Sequence, residues 1–153
     1  YCLFMVPIYS HSLQRRNLLP KKIYCADPGL ITAYTVKPET EEASRLENAV
    51  FCALRRRTEE IFYFRTKSGR EVDFLAIFPD GKKSLVQACV SLDREETAER
   101  ETSALWEALK EIGLKEGVVV TLTDEKVFRR DGKTIRCVPV WKWLLETNPQ
   151  EYP

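Results

Sequence analysis

The chain has 153 residues, of which 44% are hydrophobic and 31% charged. This length and composition fit one globular domain with a core of its own and exclude a multidomain enzyme. Lys and Arg number 24 and Asp and Glu 23, so the net charge of +1 provides no overall field to attract nucleic acid or an anionic membrane. Any basic binding surface is therefore expected to be local.

The cysteines and the hydropathy of the sequence argue against a disulfide-rich, zinc-binding or membrane protein. The five cysteines are an odd number without a Cys-x-x-Cys pair, and His11 is the single histidine, which argues against a disulfide framework and a structural zinc site. The longest apolar stretch, residues 1–9, contains a proline and is far shorter than the ~20 residues of a membrane helix. We expect a soluble, cytoplasmic protein without a membrane partner.

The first 30 residues predict a short strand pair. An apolar run at residues 1–9 and a second run at 22–26 are joined by a basic connector, and Asp27-Pro28-Gly29 supplies the residues of a turn. The chain opens with Tyr1 rather than Met, inside an expected strand. We therefore expect it to be a piece of a longer protein.

The following residues predict a helix, three strands, a second helix and a fourth strand. Apolar residues recur at helical spacing in residues 39–57, with Glu39, Glu41 and Glu42 in the first turns and three arginines in the last. Turns at Ser68-Gly69 and Pro79-Asp80-Gly81 are short enough to require an antiparallel meander. The expected elements are a helix at 39–57, strands at 61–65, 71–78 and 84–90, a helix at 97–112 and a strand at 118–122.

The fold class expected from this order is α/β. The second helix must cross over the sheet to reach its strand, and helices on a mixed sheet satisfy the layer rule. A hairpin-like pair near 126–128 and 134–138 and a short segment at 140–145 complete the pattern. We divide the chain into an N-terminal strand pair and connector (1–30), an α/β core (31–146) and a tail (147–153).

Three polar residues of the core are candidates for chemistry. Glu47 lies at the border of the apolar stripe of the first helix. Asp73 lies in the second strand, where alternation places it opposite Val72 and Phe74 and together with Glu71 and Leu75. A carboxylate in mid-strand is costly unless it faces water or has a partner.

Gln87 is the third candidate. It is polar in an otherwise apolar third strand and becomes a near neighbour of Asp73 if the two strands pair. Each of the three residues also has a structural interpretation: Glu47 as a helix-surface ion pair, Asp73 as a partnered carboxylate and Gln87 as a hydrogen-bonded structural amide.

Several stretches resemble an uncharacterised domain found at the C-terminus of many archaeal and bacterial AAA-type ATPases, which is itself assigned to the PD-(D/E)xK nuclease fold. The resemblance covers about residues 1–146, and the order and spacing of its motifs are its most specific feature. They are Lys22-Ile23-Tyr24-Cys25-Ala26-Asp27-Pro28-Gly29-Leu30, Leu46-Glu47-Asn48-Ala49-Val50, Phe62-Tyr63-Phe64-Arg65-Thr66-Lys67 and Glu71-Val72-Asp73-Phe74.

The resemblance implies a restriction-endonuclease-like core and a site built from Glu47, Asp73 and the third strand. Carboxylates in such a site hold Mg²⁺, which polarises the phosphate and activates water, while a lysine stabilises the developing charge. The metal ligands implied here are Asp73 and Glu47. The third-strand acid and lysine fall on Gln87 and Cys89, which is a departure from the pattern.

Cations near the strand turns are the candidates to replace the missing lysine and contact phosphate. They are Arg65, Lys67, Lys82 and Lys83, all of which also fit ordinary solvated turns. No Gly-x-x-x-x-Gly-Lys phosphate loop occurs in the sequence, because Gly81-Lys82 and Gly132-Lys133 both lack the earlier glycine. Any ATPase activity would belong to an attached region.

The expected function is that of an accessory nuclease-fold domain of an AAA-type ATPase, with an eroded metal site and a role in recognition or regulation of nucleic acid or of the motor. One alternative is an active Mg²⁺-dependent DNA nuclease with a relocated lysine or arginine. Another is a protein-interaction module without a nucleic-acid role. The sequence leaves open whether the domain is an enzyme, and the partners it implies are the ATPase region and DNA.

Overall fold

The computed structural model describes residues 2–29 and 41–147. Eight strands and four helices are bounded within these ranges. In chain order they are β1 (Leu3–Val6), α1 (Leu13–Leu18), β2 (Lys22–Cys25), α2 (Glu41–Arg55), β3 (Glu60–Arg65), β4 (Glu71–Ile77), β5 (Lys83–Ala88), α3 (Glu95–Ile112), β6 (Glu116–Thr121), β7 (Lys126–Arg130), β8 (Lys133–Pro139) and α4 (Val140–Thr147).

A six-stranded mixed sheet forms the centre of the fold, in the order β3-β4-β5-β6-β8-β7. Strands β3, β4 and β5 form the predicted antiparallel meander, and α3 then crosses over so that β6 pairs with β5 in parallel. Strands β1 and β2 form a separate antiparallel pair, as the sequence predicts. The α/β class and the order from α2 to β6 are therefore confirmed.

The sheet is covered on both faces by helices that bury their apolar stripes. On one face α2 contributes Leu46, Val50 and Leu54 to a cluster that also contains Tyr24 and Phe74. On the other face α3 contributes Leu105 and Leu109 to a cluster that contains Val72, Leu75 and Leu85. The polar residues between these layers are consequently enclosed by protein on both sides.

Two segments differ from the predicted pattern. The basic connector contains helix α1, which begins after Ser12, whose hydroxyl accepts the Arg15 N–H (3.4 Å). This helix buries none of its residues, so it has no apolar stripe that a periodicity could reveal. The segment after β8 is helix α4, with Trp143 buried against the α2 side of the core and Trp141 exposed.

Other expectations concern the cysteines, a membrane-spanning helix and residues outside the described part. All five cysteines are free thiols. Within residues 2–29 and 41–147, no helix has both the length and the apolar character needed to cross a membrane. Glu39, which we place in the first turn of α2, and residues 148–153 of the predicted tail lie outside the described residues. The proposed division of the chain at residues 30 and 146 stays a prediction.

Candidate functional site

The site centres on a β-bulge in β4. Phe62 pairs with Leu75 and Phe64 pairs with Val72, so two residues of β4, Asp73 and Phe74, lie opposite Tyr63 alone. Bulges redirect side chains and are frequent beside functional sites. Here the Asp73 carboxylate turns toward β2 and α2.

Because of the bulge, the side chains of β4 do not follow the strict alternation that the sequence predicts. Phe74 packs in the same cluster as α2, while Leu75 packs with Val72 on the α3 side. Contrary to expectation, Phe74 therefore lies on the same face of the sheet as the Asp73 side chain, and Leu75 lies on the opposite face. The extra residue of the bulge shifts the alternation by one position. Glu71 remains with Asp73 as predicted, since both carboxylates contact the same lysine.

That lysine is Lys22, at the start of β2. Its Nζ lies 2.8 Å from Asp73 Oδ1, 3.1 Å from Glu47 Oε1 and 3.1 Å from Glu71 Oε1. The three carboxylates, together with Lys22, are called here the Lys22 cluster. Burial alone would lower the pKa of the Lys22 ammonium, but the charges of Asp73 and Glu47 outweigh it, so the pKa lies above its ordinary value. Lys22 is therefore a fixed cation.

Tyr24 completes the cluster from the same strand face, two residues after Lys22. Its hydroxyl donates to Glu47 Oε1 (2.6 Å), and its ring stacks on Phe51 of α2 with centroids 4.6 Å apart. Burial, and then the charge of Glu47, raise the pKa of the Tyr24 hydroxyl far above its ordinary value. Strand β2 thus provides two hydrogen-bond donors to Glu47, and these bonds connect β2 to α2.

Asp73 is 8% exposed, and both of its oxygens are used. Oδ1 accepts from Lys22, and Oδ2 accepts the Ala88 N–H (3.0 Å) at the end of β5. Burial and the charge of Glu47 raise the pKa of Asp73 to about 6, against the opposing effect of Lys22. The carboxylate is thus poised to change protonation state at mildly acidic pH.

Gln87 lies on the α3 face of the sheet and is hydrogen-bonded to the bulge. Its Oε1 accepts the Asp73 N–H (3.0 Å), and its Nε2 donates to Glu101 Oε2 of α3 (2.8 Å). Glu101 in turn pairs with the exposed guanidinium of Arg100 (2.7 Å). The predicted proximity of Gln87 and Asp73 is confirmed, and both the oxygen and the nitrogen of the amide make hydrogen bonds within the protein.

The three sequence-predicted residues do not share a single concavity. Glu47 lines a shallow cavity of about 300 Å³ with Lys22 and Tyr24. Asp73 and Gln87 line another of about 350 Å³, on the side of Glu101. Glu47 and Asp73 still converge, because both contact the Lys22 ammonium. Gln87 points toward α3 because it follows the alternation of Leu85 on β5.

The four cations predicted to contact phosphate lie at strand ends. Arg65 pairs with Glu71 (3.1 Å), and Lys82 pairs with Asp80 (2.8 Å) in an exposed turn. The Lys83 ammonium lies over the Tyr9 ring, and the exposed Lys67 donates its backbone N–H to Glu111 (2.9 Å).

The cation that contacts Asp73 in the described structure is Lys22. That one of the four predicted cations replaces the missing lysine stays a prediction. Their phosphate contacts stay a prediction.

The sequence analysis did not identify Lys22, Tyr24 or Glu101 as residues of the site. Lys22 stands in the motif that begins with Lys22-Ile23-Tyr24, but its partners are 25 and 51 residues away, so local spacing could not identify them. Glu101 had a usable signal. It lies four residues before Leu105, on the buried stripe of α3, where a charge requires a partner.

The arrangement does not fit a Mg²⁺ ion as it stands. Mg²⁺ requires several oxygen ligands in near-octahedral geometry, whereas here the Lys22 ammonium already takes Asp73 Oδ1, Glu47 Oε1 and Glu71 Oε1. Across residues 2–29 and 41–147, His, Cys, Asp and Glu side chains form no group of three or more that could hold a metal ion.

The fold and the site together describe a mixed α/β domain with a lysine-centred carboxylate cluster. The family model of the domain of unknown function DUF4143 matches residues 44–143, well over half of the chain, and the chain belongs to this family. Domains of this family typically occur with AAA-type ATPases. No curated protein and no solved structure matches the chain. Glu47, Asp73 and Gln87 lie within the matched range, and Lys22 lies before it.

Proposed function

We propose that this chain is an accessory domain of an AAA-type ATPase, built on a restriction-endonuclease-like core whose metal position is filled by Lys22. In this proposal the domain recognises nucleic acid or regulates the attached motor and does not cleave DNA. The observation that carries it is the Lys22 ammonium within 3.1 Å of three carboxylates.

The charge balance of the Lys22 cluster supports the proposal that Lys22 fills the metal position. A site for a divalent metal keeps an excess of negative charge and free oxygen lone pairs for the ion. Here Lys22 neutralises one charge of the three carboxylates and Arg65 a second, through Glu71. Both oxygens of Asp73 already accept hydrogen bonds from the protein, so a metal would compete with the Lys22 ammonium for Oδ1.

The third strand supports it as well. Where the resemblance implies an acid, Gln87 supports the bulge and binds Glu101. Where it implies a lysine, Cys89 donates its thiol to the Ser91 carbonyl (3.2 Å). Burial, and then the charge of Glu101, raise the pKa of Cys89 to about 11, so the thiol is neutral near pH 7. Neither residue can supply the charge that phosphate cleavage requires.

The order of elements favours the restriction-endonuclease-like core. Helix α2, the β3–β5 meander, crossover helix α3 and parallel strand β6 follow one another as the resemblance implies. The AAA association rests on the family. Sequencing the surrounding reading frame tests it: a phosphate-binding loop upstream of Tyr1 supports the association, and a frame that encodes no ATPase contradicts it.

The test of the metal claim is calorimetric titration of the chain with Mg²⁺ and Mn²⁺, together with a DNA cleavage assay. We expect no tight metal binding and no cleavage. Asp73→Ala is the matched variant for any activity that is found. Tight metal binding with cleavage that is lost in Asp73→Ala would overturn the proposal and favour the active nuclease, with Lys22 as its relocated cation.

A protein-interaction module is the second candidate, favoured by the backbone hydrogen bond and burial of Asp73. A carboxylate held in this way fits a purely structural ion pair. The nucleic-acid recognition role and the interaction module differ in nucleic-acid binding. Salt-dependent binding of single- or double-stranded DNA supports the recognition role, whereas no binding at low salt supports the interaction module.

A further inference from the structure

A cavity of about 580 Å³ lies between α3, the β3–β4 turn and the β7–β8 hairpin, and none of its lining residues belongs to the Lys22 cluster. Its volume is within the range of small-ligand sites, roughly 300–1,000 Å³. The lining combines one large aromatic side chain with several cations. The cations are concentrated locally, because the net charge of the whole chain is +1.

Helix α3 provides one wall. Ser103, Trp106, Glu107 and Lys110 follow the i, i+3, i+4, i+7 spacing of a single helix face. Trp106 is half-buried, because it packs against the α3-side core cluster while also lining the cavity. A tryptophan supported in this way offers a fixed aromatic surface, the element that stacks on nucleic-acid bases.

The β7–β8 hairpin provides the opposite wall. Asp131 and Gly132 have φ values of 50° and 70°, as a two-residue type I′ turn requires, and Arg130 pairs with Lys133 across it. Both cations line the cavity. Because the turn type fixes the register of the hairpin, their positions relative to α3 are set by the backbone.

The charge of the lining favours an anion. Arg70, Lys110, Arg130 and Lys133 face two carboxylates, Glu107 and Asp131. Glu107 pairs with Arg70, and Asp131 makes a long, exposed contact with Arg130 (3.7 Å) that contributes little. Lys133 donates to the Leu114 carbonyl (3.1 Å), which holds its ammonium at the cavity. Lys110 and Arg130 are thus the cations most available to a ligand.

We propose that this cavity binds a nucleotide unit, with the base stacked on Trp106 and the phosphate contacted by Lys110, Arg130 and Lys133. A free nucleotide and a nucleotide within single-stranded nucleic acid share this chemistry. The inference deepens the recognition role proposed above and rests on it. It uses no residue of the Lys22 cluster, so a failed metal prediction and a failed cavity prediction can be told apart.

The experiment measures anisotropy of a labelled oligothymidylate against the full chain over a range of salt concentrations, with AMP and ATP as competitors. We expect Trp106→Ala to weaken oligonucleotide binding by roughly 5- to 150-fold and Trp106→Phe, which keeps an aromatic face, to retain most of it. We expect Lys110→Gln/Arg130→Gln to lower the slope of log K against log salt by about 1.4.

A matched control removes the same charge elsewhere. Lys21→Gln/Arg129→Gln changes two exposed cations that do not line the cavity and should leave binding unchanged. Competition by AMP or ATP that is lost in Trp106→Ala identifies free nucleotide as a ligand, and binding of the oligonucleotide alone identifies nucleic acid. Circular dichroism and thermal unfolding of each variant establish that it is folded.

Three results would overturn the assignment. One is absence of binding to both oligonucleotide and mononucleotide at low salt. Another is binding that survives Trp106→Ala but is lost in Lys82→Gln/Lys83→Gln, which would place it at the β4–β5 turn. The third is equal affinity for an acidic peptide of matched charge, because the cations would then act without the aromatic surface.

Discussion

Replacing Lys22 with methionine probes the Lys22 cluster directly. The substitution keeps most of the side-chain volume and removes the cation shared by Asp73, Glu47 and Glu71. Three carboxylates then face one another with Arg65 alone, through Glu71, as counter-charge. The loss is expected to be large because Asp73 is nearly inaccessible to water.

The size of the stability loss in Lys22→Met depends on how far the ion pairs are buried. Removing one partner of a fully buried ion pair costs about 3–5 kcal/mol. The Lys22 side chain is 24% exposed, and the side chains of Glu47 and Glu71 are 29% and 35% exposed, so water screens part of the interaction. We therefore expect a loss of about 2–4 kcal/mol in the free energy of unfolding near pH 8.

The loss should shrink in acid. Without Lys22 the pKa of Asp73 rises above its value of about 6, so near pH 5 this carboxyl is protonated and no longer requires a counter-charge. Urea unfolding of Lys22→Met at both pH values measures the effect. The matched control is Lys21→Met, which removes a neighbouring exposed lysine and should change stability by less than about 0.5 kcal/mol. Equal effects of the two substitutions, or a Lys22→Met loss that is as large in acid as near pH 8, would refute the account.

Two further predictions concern Asp73 and Gln87. The folded pKa of Asp73, about 6, exceeds its ordinary value of 3.8, so its stabilising contribution is complete below about pH 4 and is lost as pH rises through about 6. In the wild type this decline in the free energy of unfolding amounts to up to about 3 kcal/mol, and Asp73→Asn should remove it. Urea unfolding across this pH range measures the effect, and parallel stability curves for the wild type and the variant would contradict the prediction. Gln87→Leu should cost about 1–3 kcal/mol because it leaves the Asp73 N–H without its acceptor and Glu101 without its buried donor. Thermal and urea unfolding of Gln87→Leu measure that cost, and a neutral result would show that the amide does not support the bulge.

Much of the fold could be predicted because its periodicities are long and clear. The α2 stripe from Leu46 to Leu54 and the turns before β4 and β5 locate their elements to within a few residues. Helix α1 escaped prediction because it has six residues and no buried face. The bulge in β4 was not predicted either. It arises from the pairing of β4 with β3, and no local sequence pattern indicates a shift in that pairing.

The site was predictable in part. A mid-strand Asp73 and a polar Gln87 stand out because each is costly in a buried strand without a partner. Their partners lie far away in the sequence, since Lys22 reaches Asp73 across 51 residues and is placed by the packing of β2 on α2. Charge alone pointed to the turn at Lys82 and Lys83, where Lys82 pairs with Asp80 and Lys83 lies over the Tyr9 ring. Tertiary packing decides which lysine meets the carboxylates.

The central claim is that the Lys22 ammonium occupies the place of a metal among Glu47, Glu71 and Asp73. Nitrogen-15 NMR of the Lys22 Nζ during titration with Mg²⁺ tests it most directly. The account predicts an ammonium resonance that is protected from exchange with water and unchanged by millimolar Mg²⁺. A Lys22 resonance that moves toward that of a free lysine as the metal binds would contradict it.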